Sequence, residues 1–270
     1  MLSYQHGYHA GGPADAHKHS VLAALLALLR VKPRPISYLE SHAGRGYYDI
    51  SDDMAAKTGE AARGVGRLRH AEHPWWEAID RAREAGGPAA YPGSPGVAQA
   101  LLRPGDRMTL MELHPAEHAA LTRAMAGRGG PSVAIHRRDG LEGLRALTPP
   151  DPLRGLALID PSYELRSEYD DVAMAALEVW SRWPQGVIVI WYPILSEPRH
   201  EALTGPIEAM TRAAGSDMLL RDEAAFAERP ARGMVGSGLL ILNPPYGARE
   251  AVATAHRICA GALAAAARAA

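Results

Sequence analysis

The chain has 270 residues, enough to bury a substantial core as one α/β domain or as one domain carrying an insertion. Its 29 basic and 30 acidic side chains give a formal net charge of -1, which excludes the global basicity that advertises many nucleic-acid binders. The single cysteine, Cys259, excludes an intrachain disulfide and points to a reducing, cytoplasmic setting.

With no global excess of positive charge, any footprint for an anionic polymer is local. The sequence offers Arg30, Lys32 and Arg34, then Arg63, Arg67 and Arg69, the pair Arg137 and Arg138, and Arg229 with Arg232. Residues 21–31 (VLAALLALLRV) are too short to span a bilayer, include Arg30 and precede no small-residue cleavage site. They read as a buried helix, and no membrane partner is expected.

Taken in chain order, short apolar runs predict strands at 36–40 (ISYLE), 107–112 (RMTLME), 133–136 (VAIH), 155–159 (GLALI), 186–192 (GVIVIWY), 217–221 (DMLLR) and 238–242 (GLLIL). Helix-like segments rich in Ala, Leu, Glu and Arg separate them, which is an α/β rhythm with seven strands in one sheet. The unbroken apolar character of GLALI and GVIVIWY predicts central strands of a mostly parallel sheet covered on both faces. The long interval between the first two strands predicts an inserted helical subdomain over 49–92, carrying Trp75 and Trp76, within a domain formed by 1–48 and 93–270. The insertion ends in Tyr91-Pro92-Gly93-Ser94-Pro95, a turn in which Ser94 is placed to cap a helix opening near Val97.

Open α/β sheets collect ligands at the carboxyl ends of their parallel strands, so the residues just past each strand are informative. The first strand is followed by Ser41-His42-Ala43-Gly44-Arg45-Gly46, in which two glycines allow the backbone to pass close under a nucleotide-like ligand. A nicotinamide fingerprint is incomplete there, because Asp49 stands where the third glycine belongs. Glu112 ends the second strand and has the chemistry to accept hydrogen bonds from two ribose hydroxyls. Asp139, before Gly140, suits either an adenine amine or the cap of the next helix.

The fourth strand runs into Asp160-Pro161-Ser162-Tyr163, which resembles the Asp-Pro-Pro-Tyr signature of methyltransferases acting on the amino group of adenine. An exocyclic amine is a poor nucleophile because its lone pair is delocalised into the ring. A carboxylate at Asp160 and the Pro161 carbonyl, both accepting its hydrogens, would draw the nitrogen toward a geometry able to attack in line. The ring of Tyr163 would stack on the base, worth about 1–3 kcal/mol. A second match, Asn243-Pro244-Pro245-Tyr246, follows the last strand. In sheets of this kind that strand runs antiparallel, so its end emerges away from the cofactor side. The second motif is read as a turn, and Asn243→Ala is expected to have only small effects on stability.

The segment Met1-Leu2-Ser3-Tyr4-Gln5-His6, with His9-Ala10-Gly11, Lys18-His19, the His42-Ala43-Gly44 turn, the strand-end motifs and the Tyr91-to-Pro95 turn, closely resembles the ribosomal large subunit RNA methyltransferase J family. The resemblance implies a Rossmann-like class I methyltransferase fold with a helical insertion between strands 1 and 2. It implies methyl transfer from S-adenosylmethionine to the N6 position of one adenine in bacterial 23S rRNA. It further implies cofactor contacts from His19, His42, Ser94, Glu112, Asp139, Gly140 and Asp160, catalysis at Asp160, and substrate contacts from Tyr4, with Lys18 beside it. The family has proline where this chain has Ser162, which relaxes the backbone after Pro161 without removing either acceptor. A monomer is expected.

Two other readings remain at this point. His6 with His9 and His17 with His19 have the chemistry of zinc ligands, but no His-Glu-x-x-His motif or nearby cysteine accompanies them, and no metal is expected. A non-catalytic RNA-binding ribosome-assembly factor that has kept the fold is the alternative to an enzyme.

Overall fold

The computed structural model describes residues 6–52, 57–228 and 233–264. Tyr4, Arg229 and Arg232 therefore lie outside the described residues. The elements are α1 (Pro13–Arg30), β1 (Ser37–Glu40), β2 (Tyr47–Asp49), α2 (Glu60–Arg63), α3 (Pro74–Gly86), β3 (Ala90–Pro92), α4 (Ser94–Leu101), β4 (Arg107–Met111) and α5 (Pro115–Met125). They continue as β5 (Ser132–His136), α6 (Gly140–Leu147), β6 (Gly155–Ile159), α7 (Ser167–Arg182), β7 (Val187–Leu195), α8 (Glu201–Ala214), β8 (Leu219–Ala225), β9 (Met234–Leu242) and α9 (Ala248–Ile258).

Seven strands form one sheet in the order β5-β4-β1-β6-β7-β9-β8. Neighbours from β5 through β7 pair parallel, and β9 runs antiparallel to both β7 and β8. β1 and β6 are buried at every position, as strands covered by helices on both faces must be. The edge strands β5 and β8 instead mix exposed and covered positions. α1 packs against α3, α4 and α9, while α7 packs against α6 and α8.

Helix starts follow a local rule. Pro occupies the first turn of α1, α3, α4 and α5, where its missing N–H costs nothing. The imidazoles of His73 and His114 cap α3 and α5 by accepting backbone N–H groups.

Between β1 and β4 the chain makes an unforeseen two-stranded ladder, with Tyr47–Asp49 antiparallel to Ala90–Pro92. The helices between these short strands bury Trp75 and Trp76. Among the described residues no helix is long and apolar enough to cross a membrane.

The antiparallel direction of β9 carries Asn243 to the end of the sheet opposite the carboxyl ends of the parallel strands. There Asn243 adopts φ 51, accepts a hydrogen bond from Trp180 Nε1 at 2.9 Å, and donates to the carbonyls of Pro184 and Gly186. The expectation that Asn243→Ala is nearly silent in stability needs correcting. It strands the Trp180 indole N–H and the Gly186 carbonyl and replaces asparagine, which tolerates positive φ, by alanine, which does not. We expect it to cost about 2–4 kcal/mol in urea melts.

Candidate active site

The connection from β1 runs outward through β4 to β5, and the chain then returns to place β6 on the other side of β1. Ligands bind at such a reversal, and a cavity of about 290 Å³ lies there. His19, His42, Ser94, Glu112, Lys18, Asp160, Pro161 and Tyr163 all line it. Asp139 and Gly140 do not line it. They sit behind the Ser41–His42 turn, where a β-carbon at Gly140 would overlap the Ser41 carbonyl oxygen. Asp139 Oδ1 accepts the Glu142 N–H at 2.8 Å, capping α6, and its charge reaches His42.

The β1 turn is shaped by Gly44, at φ +58, where a β-carbon would strike the Tyr48 hydroxyl. Its N–H donates to Glu112 Oε2 at 2.9 Å, and the His114 N–H donates to Glu112 Oε1 at 2.7 Å. Burial raises the Glu112 carboxyl above its ordinary range against these two bonds. Each oxygen keeps acceptor capacity after them. Burial also lowers the His42 pKa, so its ring is neutral near pH 7; Nδ1 lies 2.7 Å from Ser41 Oγ.

Lys18 is the residue that reorganises the expected picture. It is 3% exposed, and its Nζ donates to Asp160 Oδ2 at 2.6 Å and lies 3.2 Å from Asp15 Oδ1. Burial disfavours its charge, but the carboxylates of Asp160 and Asp15 outweigh that and hold the ammonium above its ordinary value. Nζ also sits 5.5 Å from the ring of Trp191.

Tyr163 has φ 53, an uncommon conformation for an aromatic residue. It is held there by donating its hydroxyl to the Trp191 carbonyl at 2.7 Å and by rings at 4.5 Å (Tyr169) and 6.0 Å (Trp191). The ring is thus built into the wall and is 7% exposed.

Ser94 corrects an expectation. α4 begins at Ser94 itself, its N-cap is Gly93, and no side chain caps it. Ser94 Oγ instead donates to Glu40 Oε1, and Tyr38 donates to Glu40 Oε2 at 2.7 Å. Glu40, the last residue of β1, is fully buried beneath the cavity. Burial pushes its carboxyl up to about 8 against the Ser94 and Tyr38 hydroxyls, with the Asp160 charge acting in the same sense as burial.

A carboxyl with a raised folded value keeps its proton after the unfolded chain has lost it. Stability is therefore full below the unfolded carboxylate value and falls as the pH rises toward about 8. Glu40→Gln removes this titration. Urea melts should show the variant gaining on the parent across that window by on the order of a few kcal/mol, since each tenfold change in proton affinity is worth about 1.4 kcal/mol. A difference independent of pH would show that Glu40 is ionised in the fold.

Sequence reasoning missed Asp15, Glu40 and Trp191. Asp15 was detectable, since Asp15, Lys18 and His19 recur at helical spacing on a helix that is apolar from Val21 to Leu29. Trp191 gave no signal, lying inside the apolar run of β7. His17 and His19 do not converge: His17 bonds Asp222, and His19 lies 2.9 Å from the Tyr91 hydroxyl. Of the basic groups, Arg67 pairs with Glu228 and Arg138 with Glu142.

The family model described as ribosomal RNA large subunit methyltransferase D, RlmJ, matches residues 33–269. The chain is 33% identical over 253 residues to ribosomal RNA large subunit methyltransferase J of Escherichia coli (strain K12), covering 91% of this chain and 88% of that protein. It is 35% identical over 261 residues to the protein of that name from Haemophilus influenzae, with coverages of 91% and 88%. A crystal structure of a Legionella pneumophila protein superposes with a TM-score of 0.79 at 32% identity, covering 95% of this chain and 96% of that one. The chain belongs to the RlmJ family of ribosomal RNA large subunit methyltransferases.

Proposed function

We propose that the protein transfers the methyl group of S-adenosylmethionine to the exocyclic N6 amine of one adenine in 23S rRNA. The observation that carries this reading is that Asp160 and Pro161, at the end of β6, line the same cavity as Glu112, His42 and Ser94. The names of the curated relatives support ribosomal RNA of the large subunit as the substrate.

The residues present fit the cofactor. Glu112, fixed by two backbone amides, retains lone pairs for a pair of ribose hydroxyls. His19, His42 and Ser94 supply further polar groups around the same space, and Asp139 with Gly140 opens α6 beside it. S-adenosylmethionine supplies, when bound, an electrophilic methyl group on a sulfonium centre.

The chain's own part is grip and orientation. Asp160 and the Pro161 carbonyl accept the two hydrogens of the amine, directing its lone pair toward the methyl. Lys18 occupies Asp160 Oδ2, so it acts as a positioning residue and leaves Oδ1 for the substrate. Tyr163 and Trp191 form the aromatic wall against which an extruded base rests. Ser162 also lines the cavity, and the hydrogen bond and ring contacts that pin Tyr163 take over part of the restraint a second proline would give. Tyr4 contacts the RNA in this reading. Residues 49–92 form an inserted helical subdomain of a methyltransferase domain spanning 1–48 and 93–270, and a monomer acts in the cytoplasm.

Mass-spectrometric mapping of 23S rRNA incubated with the purified protein and S-adenosylmethionine tests the proposal. One new N6-methyladenosine is expected. Cofactor binding without transfer to any RNA would overturn it in favour of an assembly factor.

A further inference from the structure

Away from the cavity, a second polar cluster joins three elements. His17 on α1, Asp222 on β8 and His256 on α9 each offer one ligand-type atom, and these atoms lie within 4.8 Å of one another. His17 Nε2 is 2.8 Å and His256 Nε2 2.9 Å from the same oxygen, Asp222 Oδ2. The rings meet edge to face with centroids 5.1 Å apart. The His17 side chain is fully buried, whereas those of Asp222 and His256 are 14% and 17% exposed. His17 Nδ1 lies 2.9 Å from Ser237 Oγ, to which Trp191 Nε1 also donates at 2.9 Å.

We propose that His17, Asp222 and His256 form a binding site for one late first-row divalent cation, with Zn2+ the expected occupant, separate from the methyl-transfer site. Two imidazoles and a carboxylate are a ligand set suited to that class of ion. A buried salt bridge needs only one imidazole. Here two converge on a single oxygen from different elements, and one open side meets solvent.

Without metal, Asp222 Oδ2 can only accept, so each ring donates an Nε2–H to it. On binding, each ring holds its hydrogen on Nδ1 and turns its Nε2 lone pair to the cation. His17 Nδ1–H then donates to Ser237 Oγ, the kind of outer bond that orients a ligating histidine. Metal–ligand bonds of about 2.0–2.2 Å at tetrahedral angles set the ligand atoms roughly 3.3 Å apart. The present contacts at 2.8 and 2.9 Å must open by about half an ångström. Asp222 lies on an edge strand and His256 on a helix, both partly exposed, so the opening falls on the solvent side of the cluster and water takes the fourth position. The ion would tie the sheet edge and the C-terminal helix to α1, one residue before Lys18.

The test uses the full chain, stripped with chelator and dialysed against Zn2+, followed by metal analysis and thermal melts. We expect one bound Zn2+ per chain at submicromolar affinity, with a rise in Tm of several degrees. His256→Asn should lose both while remaining folded, since the position is a partly exposed helix face. His256→Cys should recover zinc, because a thiolate is a zinc ligand but does not replace the imidazole N–H in a purely hydrogen-bonded triad. No uptake by the parent would overturn the site. So would uptake unchanged in His256→Asn, or failure of His256→Cys to retain the ion.

Discussion

Asp160→Asn is expected to lower kcat/KM for RNA methylation by about 10²–10³-fold while leaving S-adenosylmethionine affinity within about tenfold of the parent. The asparagine has nearly the shape of the aspartate, so the cavity and the Lys18 contact at Oδ2 have a substitute acceptor. What it lacks is a second acceptor. Its amide group would present donor hydrogens to an amine that also presents donor hydrogens, and the nitrogen would lose the partner that directs its lone pair. Because that contact tightens only as the amine pyramidalises, the loss belongs to kcat rather than to binding. Single-turnover methylation with labelled cofactor, alongside calorimetric cofactor binding, separates the two quantities. Full turnover by the variant would remove Asp160 from the mechanism.

Asp160→Ala should lose still more, and for two reasons. It removes both oxygens from the amine, and it leaves the buried ammonium of Lys18 with Asp15 as its remaining close carboxylate. Comparing Asn with Ala therefore measures how much of the defect is chemistry and how much is the collapse of the ion pair.

The centre of the sheet was legible because β6 and β7 are covered on both faces and read as near-continuous apolar runs. Those runs mark β6 and β7, whereas β1, Ser-Tyr-Leu-Glu, is as fully buried without one. Errors arise where local chemistry departs from the run. β9 extends back to Met234 through Gly236 and Ser237, small residues that carry no strand signal although their backbones pair with β7. β8 lies at 219–225 rather than 217–221, because Ser216–Met218 makes a 3-10 turn and the edge strand accepts charged Asp222 and Glu223. The ladder of β2 with β3 is three residues long, too short for a period to show.

The candidate site divides in the same way. Residues just past the parallel strands can be found from topology alone, and Glu112 and Asp160 come together as strand-end logic requires. Pairings across long sequence separations cannot. Ser94 reads as a cap from its neighbours, yet its partner is Glu40, 54 residues earlier. Lys18 reads as a substrate-side residue, but its closest bond is to Asp160, 142 residues later.

That Lys18 bond leads to the second large effect: Lys18→Met should destabilise the fold by about 3–5 kcal/mol and depress methylation more than cofactor binding. Methionine fills most of the lysine stem's volume, so lost packing is minor. The cost comes from leaving the buried Asp15 carboxylate and the largely covered Asp160 carboxylate close together without the Lys18 ammonium that now reaches both. The pH dependence identifies the cause. In the parent the raised Lys18 value means its stabilising charge is fully present below the ordinary lysine range and is lost only as the pH rises through the still higher folded value. Across neutral pH the parent's contribution from Lys18 is therefore constant. In Lys18→Met the penalty resides on the carboxylates, so protonating them relieves it, and the stability gap between variant and parent should narrow as the pH falls into the carboxylate range. Urea melts from neutral to acid pH give that gap directly. A gap of constant size would assign the loss to packing around Trp191 instead. Lys18→Arg restores a cation but not the compact ammonium that reaches both oxygens, so it should recover much of the stability and less of the rate.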